Sequence, residues 1–228
     1  GSVRLLAGTH NHGQGHDTTY AQIIASKLGL PFEKVTVIEG DTEAVPMGTG
    51  TFGSRSIAVG GSAIAVAAGK IVEKGRKLAA FLLEAAEEDV AFADGIFAIA
   101  GTDRQITIGE IATAANLGHV MPPGMEPGLN ESAFYDPSNF AYSNGGHVVE
   151  IEIDRDTGEI DLQRYYVVDD IGTVINPMIV HAQIHGGLAQ GIGQALTESA
   201  AYDPESGQIL AGSFLDYCVP RADDLIWF

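Results

Sequence analysis

Residues 56–69 read SIAVGGSAIAVAAG, a helical stretch with almost no side-chain bulk on any face. A helix that is small all round lets other elements approach on several sides, so it belongs inside a fold rather than on its surface. The pattern predicts one long helix from Ser54 to Ala86. Its second half, KIVEKGRKLAAFLLEAAEE, is amphipathic and solvated. A central helix needs surrounding elements, and the chain offers them in irregular order. Val3 to Ala7 reads as a short strand. Thr18 to Leu28 has a helical period, with Tyr20, Ile23, Ile24 and Leu28 on one face and Gly29 as a stop. Lys34 to Glu39, KVTVIE, alternates like a strand. Val90 to Ile99 reads as a hairpin turning at Asp94-Gly95. The TIGE motif, Thr107 to Glu110, is a capping box opening a helix to about Asn116.

Leu117 to Asn139 is rich in proline and glycine and marks a lobe boundary. Beyond it, Gly146–Asp154 and Glu159–Val168 form a hairpin around DTGE. A helix follows from about Pro177 to Thr197, then a second hairpin at DPESGQ. The expected fold class is α+β: two mixed lobes, 1–116 and 140–228, in which hairpins pack with small-residue-rich helices. The connector is 117–139. The regular βα alternation of a doubly wound sheet is missing.

The length of 228 residues, 45% of them hydrophobic, allows a substantial core. The formal net charge of -18 repels nucleic acid and anionic membranes. An anionic ligand must therefore be held by local devices, such as backbone amides, a helix N-terminus or one placed arginine. Cys218 is the sole cysteine, so this chain holds neither an internal disulfide nor a cysteine-ligated cluster. The longest weakly polar stretch, Ile57 to Gly69, is too short to span a membrane. No signal peptide is visible. Gly1-Ser2 resembles a tag scar, and both ends read as those of a piece cut from a longer polypeptide.

Three glycine-rich helix entries carry the chemistry. In GTHNHGQGHDTT, Gly13 and Gly15 can turn backbone amides toward a ligand, and Gln14 adds a carbonyl and an amide. The plain alternative is a turn with Asp17 or Thr18 capping a helix. His10 and His12 raise a rival, a zinc-dependent hydrolase, which needs further ligands from elsewhere in the chain. In GTGTFGSRS, Gly53, Ser54, Arg55 and Ser56 precede a helix start. An arginine there is electrostatically misplaced unless an anion is bound, or unless a surface carboxylate pairs with it. In AQIHGGLAQGIGQALTE, Gln183 and Gln190 are seven residues apart and share a helix face. Gly186, Gly187, Gly191 and Gly193 each cost about 1 kcal/mol of helix stability relative to alanine. Close packing against a ligand or another helix would offset that. A non-catalytic subunit-docking module is the third reading of these features.

The segments GTHNHGQGHDTTYAQIIASKLGLP, VIEGDTEAVPMGTGTFGSRS, NPMIVHAQIHGGLAQGIGQALTE and GSFLDYCVPRADD resemble, in the same order, the molybdopterin-binding large subunit of the xanthine dehydrogenase/aldehyde oxidase family. The carbon monoxide dehydrogenase-like branch is the nearest pattern. The resemblance implies molybdenum carried by a molybdopterin dithiolene, in the cytosine dinucleotide form, so no cysteine ligand is required. It implies that Gln14 sits near the metal's oxo group or the pterin, with Gly15 and His16 lining the same cradle. Gly53, Ser54, Arg55 and Ser56 would hold pterin and phosphates, and Gln183 and Gln190 the pterin's polar edge. It further implies hydroxylation of a carbon centre, or carbon monoxide oxidation, with oxygen from water. An iron–sulfur small subunit and an FAD medium subunit would carry electrons away, in a cytoplasmic dimer of heterotrimers. The family's catalytic glutamate is expected beyond Phe228, so no catalytic residue is assigned here, and the fragment alone is expected to be inactive.

Overall fold

The computed structural model describes residues 1–228. The small-residue helix runs through the first of two units, Gly1–Ala141, and the second unit is Tyr142–Phe228. In the first unit, β1 (Val3–Leu6), α1 (His16–Leu28) and β2 (Val35–Ile38) form a βαβ unit whose strands pair in parallel, Val3 opposite Val35 through Leu6 opposite Ile38. The sequence pattern does not disclose that pairing, because two four-residue strands carry no signal of their partner.

The long helix begins at Ser56 with a stretch of π-helix, Ser56–Gly61, and continues as α2 (Ser62–Leu82). It stops four residues short of the expected Ala86, where Glu84 takes a left-handed conformation with φ 47°. Small residues serve close approach here. A Cβ on Gly60 would stand 2.9 Å from the Tyr20 hydroxyl, and one on Gly75 would meet the Phe97 ring at 2.6 Å. Tyr20, Ile24 and Leu28 of α1 pack with Ile64, Ala68, Leu78 and Ala79 of α2 in one core, as the helical period requires. Taken as one 27-residue helix, 56–82 is long and apolar enough to cross a membrane, its most apolar 18-residue stretch having a mean hydropathy of 1.4. This corrects the expectation drawn from the shorter stretch 57–69. Ile64 and Ala68 of the 18-residue stretch lie in this unit's core, and 22% of the stretch is buried.

β3 (Val90–Ala93) and β4 (Ile96–Ile99) form the expected hairpin, with Asp94 and Gly95 both at positive φ. A third strand, β5 (Gln105–Thr107), adds to β4. It is only three residues long, too short for alternation to register. Thr107 then caps α3 (Ile108–Ala114) in a reciprocal capping box with Glu110, whose carboxyl is held below its ordinary value by the Thr107 hydroxyl and N–H. The proline- and glycine-rich segment does not stand apart. Met125 and Leu129 pack on the core, the Gly128 N–H donates to the Ala115 carbonyl at 2.7 Å, and Lys74 pairs with Glu131 at 3.6 Å.

The second unit is built on β6 (Asn144–Ile153) and β7 (Ile160–Asp170), an antiparallel pair with an irregularity between Glu150 and Ile151. Every residue of β6 is exposed. α4 (Pro177–Leu196) starts with proline just inside an Asn176 cap, whose Oδ1 accepts from the Ile179 N–H at 3.2 Å. Its buried residues are Leu188, Ile192 and Gly193. The turn at DPESGQ is closed by a single bridge, Tyr202 opposite Ile209, in place of the expected second hairpin.

Candidate functional site

Two glycine-rich turns of the first unit, 8–15 after β1 and 48–55 after β2, meet backbone to backbone. The Gly8 carbonyl accepts the N–H groups of both Thr49 (3.0 Å) and Gly50 (3.1 Å). A Cβ on Gly48 would lie 2.6 Å from the Gly8 oxygen, so only glycine permits the crossing. Because both partners are backbone, neither can yield cheaply. Gly48→Ala is expected to destabilise the protein by about 1–3 kcal/mol through overpacking. Thermal unfolding of the full-length protein measures this, and an unchanged midpoint would refute the tight crossing.

Side chains extend the junction. The His10 N–H donates to Thr51 Oγ1 at 3.1 Å, and Thr51 Oγ1 lies 2.8 Å from Ser56 Oγ. In the first turn, Gln14 is engaged at both ends: its carbonyl accepts the His12 N–H, and its amide donates to the His10 carbonyl at 3.3 Å. Gln14 therefore braces the loop on which it sits. Gly15, at φ 80°, is the N-cap of α1 and offers no side-chain cap. Asp17 accepts from Asn11 Nδ2 at 2.8 Å and adds negative charge to this helix start.

The second turn has the opposite electrostatics. Its helix carries no acidic residue in the first turn. Gly53 and Ser54 are both left-handed, at φ 58° and 55°. For the serine this costs about 1–2 kcal/mol. Arg55 donates to Thr49 Oγ1 and stacks over the Phe52 ring, 5.0 Å from its centroid. None of the protein's ion pairs includes Arg55, so the surface-carboxylate alternative does not hold. Within the first unit, this is the end suited to an anion.

His16 faces inward. Its side chain is 6% exposed, and Nδ1 lies 3.2 Å from Glu39 Oε1, whose carboxylate is 4% exposed. The Tyr20 ring is fully buried and stacks on His16 at 4.9 Å. The Tyr20 hydroxyl lies 3.1 Å from Thr9 Oγ1 and donates to the Ser56 carbonyl at 2.9 Å. Burial first, and the Glu39 charge with it, push this hydroxyl above the ordinary tyrosine value of 10.0. Sequence reasoning missed Thr9, Tyr20 and Glu39 as site residues. One signal was available: in KVTVIE, Glu39 falls on the same face as Val35 and Val37, an inward position for a carboxylate.

Gln183 and Gln190 stand exposed on α4 of the second unit. Of the four glycines on that helix, only Gly193 meets a close neighbour, Pro220. The packing expected to offset Gly186, Gly187 and Gly191 is not supplied within this chain. The His10 and His12 rings lie 4.5 Å apart, and no set of three or more histidine, cysteine or carboxylate groups is placed to hold a metal ion. The zinc-hydrolase reading thus lacks its ligand set.

Residues 1–226 match the model of the molybdopterin cofactor-binding domain. The chain belongs to that family. It is 47% identical over 223 residues to the carbon monoxide dehydrogenase large chain of Hydrogenophaga pseudoflava, covering 97% of this domain and 27% of the relative. Its fold superposes on the crystal structure of the Cu,Mo-CO dehydrogenase with a TM-score of 0.92 and 43% identity, covering 98% of this chain and 28% of that one. Quinoline 2-oxidoreductase from Pseudomonas putida 86 gives 0.90 and 39%, covering 99% and 29%. The domain therefore spans little more than a quarter of the length of these relatives, and its α+β fold is that of the molybdenum-cofactor-binding domain.

Proposed function

We propose that this domain grips the molybdopterin cofactor in the large subunit of a molybdenum hydroxylase of the carbon monoxide dehydrogenase type. One observation carries the reading: two crossed glycine-rich turns bring backbone amides and hydroxyls together beside Arg55, a cation with no carboxylate partner. The donor set suits a large polar anion. It is made of amides, hydroxyls and a guanidinium, and needs no thiolate, since the pterin brings its own sulfurs. When bound, the cofactor supplies the molybdenum centre for oxygen transfer from water to the substrate.

Arg55 donates to phosphate oxygens through its planar fork, with the Gly53, Ser54 and Ser56 main chain shaping the same end. Gln14 and Gly15 shape the first turn against the pterin, and His16 supports that turn from beneath. On α4 of the second unit, the family resemblance assigns Gln183 and Gln190, both exposed, to the pterin's polar edge. No residue of this chain is assigned as the catalytic base. The family resemblance supports the further proposals of a cytosine dinucleotide form, iron–sulfur and FAD partner subunits, a dimer of heterotrimers and a cytoplasmic location.

Full-length protein from cells that make the cofactor is expected to carry stoichiometric molybdenum and to release a cytosine nucleotide on acid hydrolysis. Elemental analysis and chromatography measure both. Folded protein free of molybdenum and pterin would overturn the proposal in favour of a docking module.

A further inference from the structure

We propose that Thr9, His16, Tyr20 and Glu39 form a buried positioning lock that sets the Arg55 end of the cradle against the Gly15 end. The inference rests on the cofactor-binding reading above. It concerns side chains that touch no ligand. Four polar groups occupy a place where phenylalanine and valine would fill the same core, and leaving any of them unpaired in such a site is costly. Each has a hydrogen-bond partner: Thr9 and His16 on Glu39, and Tyr20 on the Ser56 carbonyl.

Glu39 takes the Thr9 hydroxyl on Oε1, and its two oxygens lie 3.2 and 3.3 Å from His16 Nδ1. Tyr20 donates its one hydroxyl hydrogen to the Ser56 carbonyl at 2.9 Å, its ring stacks on His16 at 4.9 Å, and its oxygen touches Thr9 Oγ1, 3.1 Å away, whose own hydrogen goes to Glu39. The network thus connects four segments: the turn after β1, the first turns of α1, the residue after β2 and the start of the second helix. Ser56 directly follows Arg55. Thr9 directly follows Gly8, on whose carbonyl the second turn hangs. His16 directly follows Gly15. A shift in any link therefore moves one ligand-facing turn relative to the other. An apolar core would stabilise the fold but would not fix the Ser56 carbonyl in direction, because only the hydrogen bond is directional.

The test uses the full-length, cofactor-loaded protein. Tyr20→Phe and Thr9→Val each delete a hydroxyl and preserve shape. Both are expected to lose molybdenum on dialysis about tenfold faster than the parent protein, the effect of one buried hydrogen bond lost. Thr9→Ser restores the hydroxyl and is expected to hold molybdenum at the parent rate. Ile111→Val, a change in the same core on α3, serves as the control: it lowers the thermal midpoint without hastening metal loss. If Tyr20→Phe and Thr9→Val keep molybdenum like the parent, or lose it no faster than Ile111→Val does at an equal drop in midpoint, the lock is overturned. A parent protein that never carries molybdenum defeats the cofactor reading itself, a result distinct from the first.

Discussion

Arg55→Ala in the full-length protein is expected to weaken cofactor retention by about 1.5–3 kcal/mol, roughly ten- to 150-fold in the dissociation constant. The size follows from what the side chain lacks. Arg55 has hydroxyl and aromatic neighbours, Thr49 and Phe52, but no carboxylate. Its charge is thus left for a ligand, in a chain whose net charge of -18 otherwise opposes anions. Arg55→Lys is expected to recover part of the loss, since it keeps the charge but gives up the planar fork and much of the stacking on Phe52. Molybdenum retained after gel filtration is the readout. Retention equal to the parent in Arg55→Ala would remove the anion role from this turn.

The two units are expected to behave very differently when separated. Residues 1–141 should fold alone and melt cooperatively, because Tyr20, Leu28, Leu78, Phe97 and Ile111 sit in one continuous core. Residues 142–228 should remain largely unstructured. Their buried hydrophobic side chains are Leu188, Ile192 and Ala211, and Val148, Val149, Ile151 and Ile153 of β6 are exposed. A lone two-stranded hairpin is marginal in water, and three buried side chains cannot offset the conformational entropy of ordering such a segment. Far-UV circular dichroism and amide NMR dispersion of the two pieces check this. A cooperative transition in 142–228 by itself would show that the hairpin and α4 need no further cover.

The second expectation also explains why α4 was hard to read. Its glycines called for a close neighbour, and the structure provides one only at Gly193. The sequence signal was sound as a statement of cost. No close neighbour answers Gly186, Gly187 or Gly191 within the second unit. The reverse happened at Glu39. The strand period places it inward with Val35 and Val37, and a carboxylate at such a position signals buried partners, here Thr9 and His16.

From the sequence alone came the α+β class, the long small-residue helix, the hairpin at Asp94-Gly95, the Thr107 capping box and two glycine-rich helix entries, before α1 and before Ser56; the third glycine-rich segment lies in the interior of α4, which Asn176 caps. These are local matters: period, capping chemistry and the placement of glycine act over a few residues and are written in consecutive positions. Only the tertiary structure decided that β1 and β2 pair in parallel, that 117–139 packs onto the first unit, that Gly8 and Gly48 cross, and that Arg55 lacks an acidic partner while His16 has one in Glu39. Each of those facts joins residues far apart in the chain, and the energy that selects such a pairing belongs to neither partner until the fold brings them together.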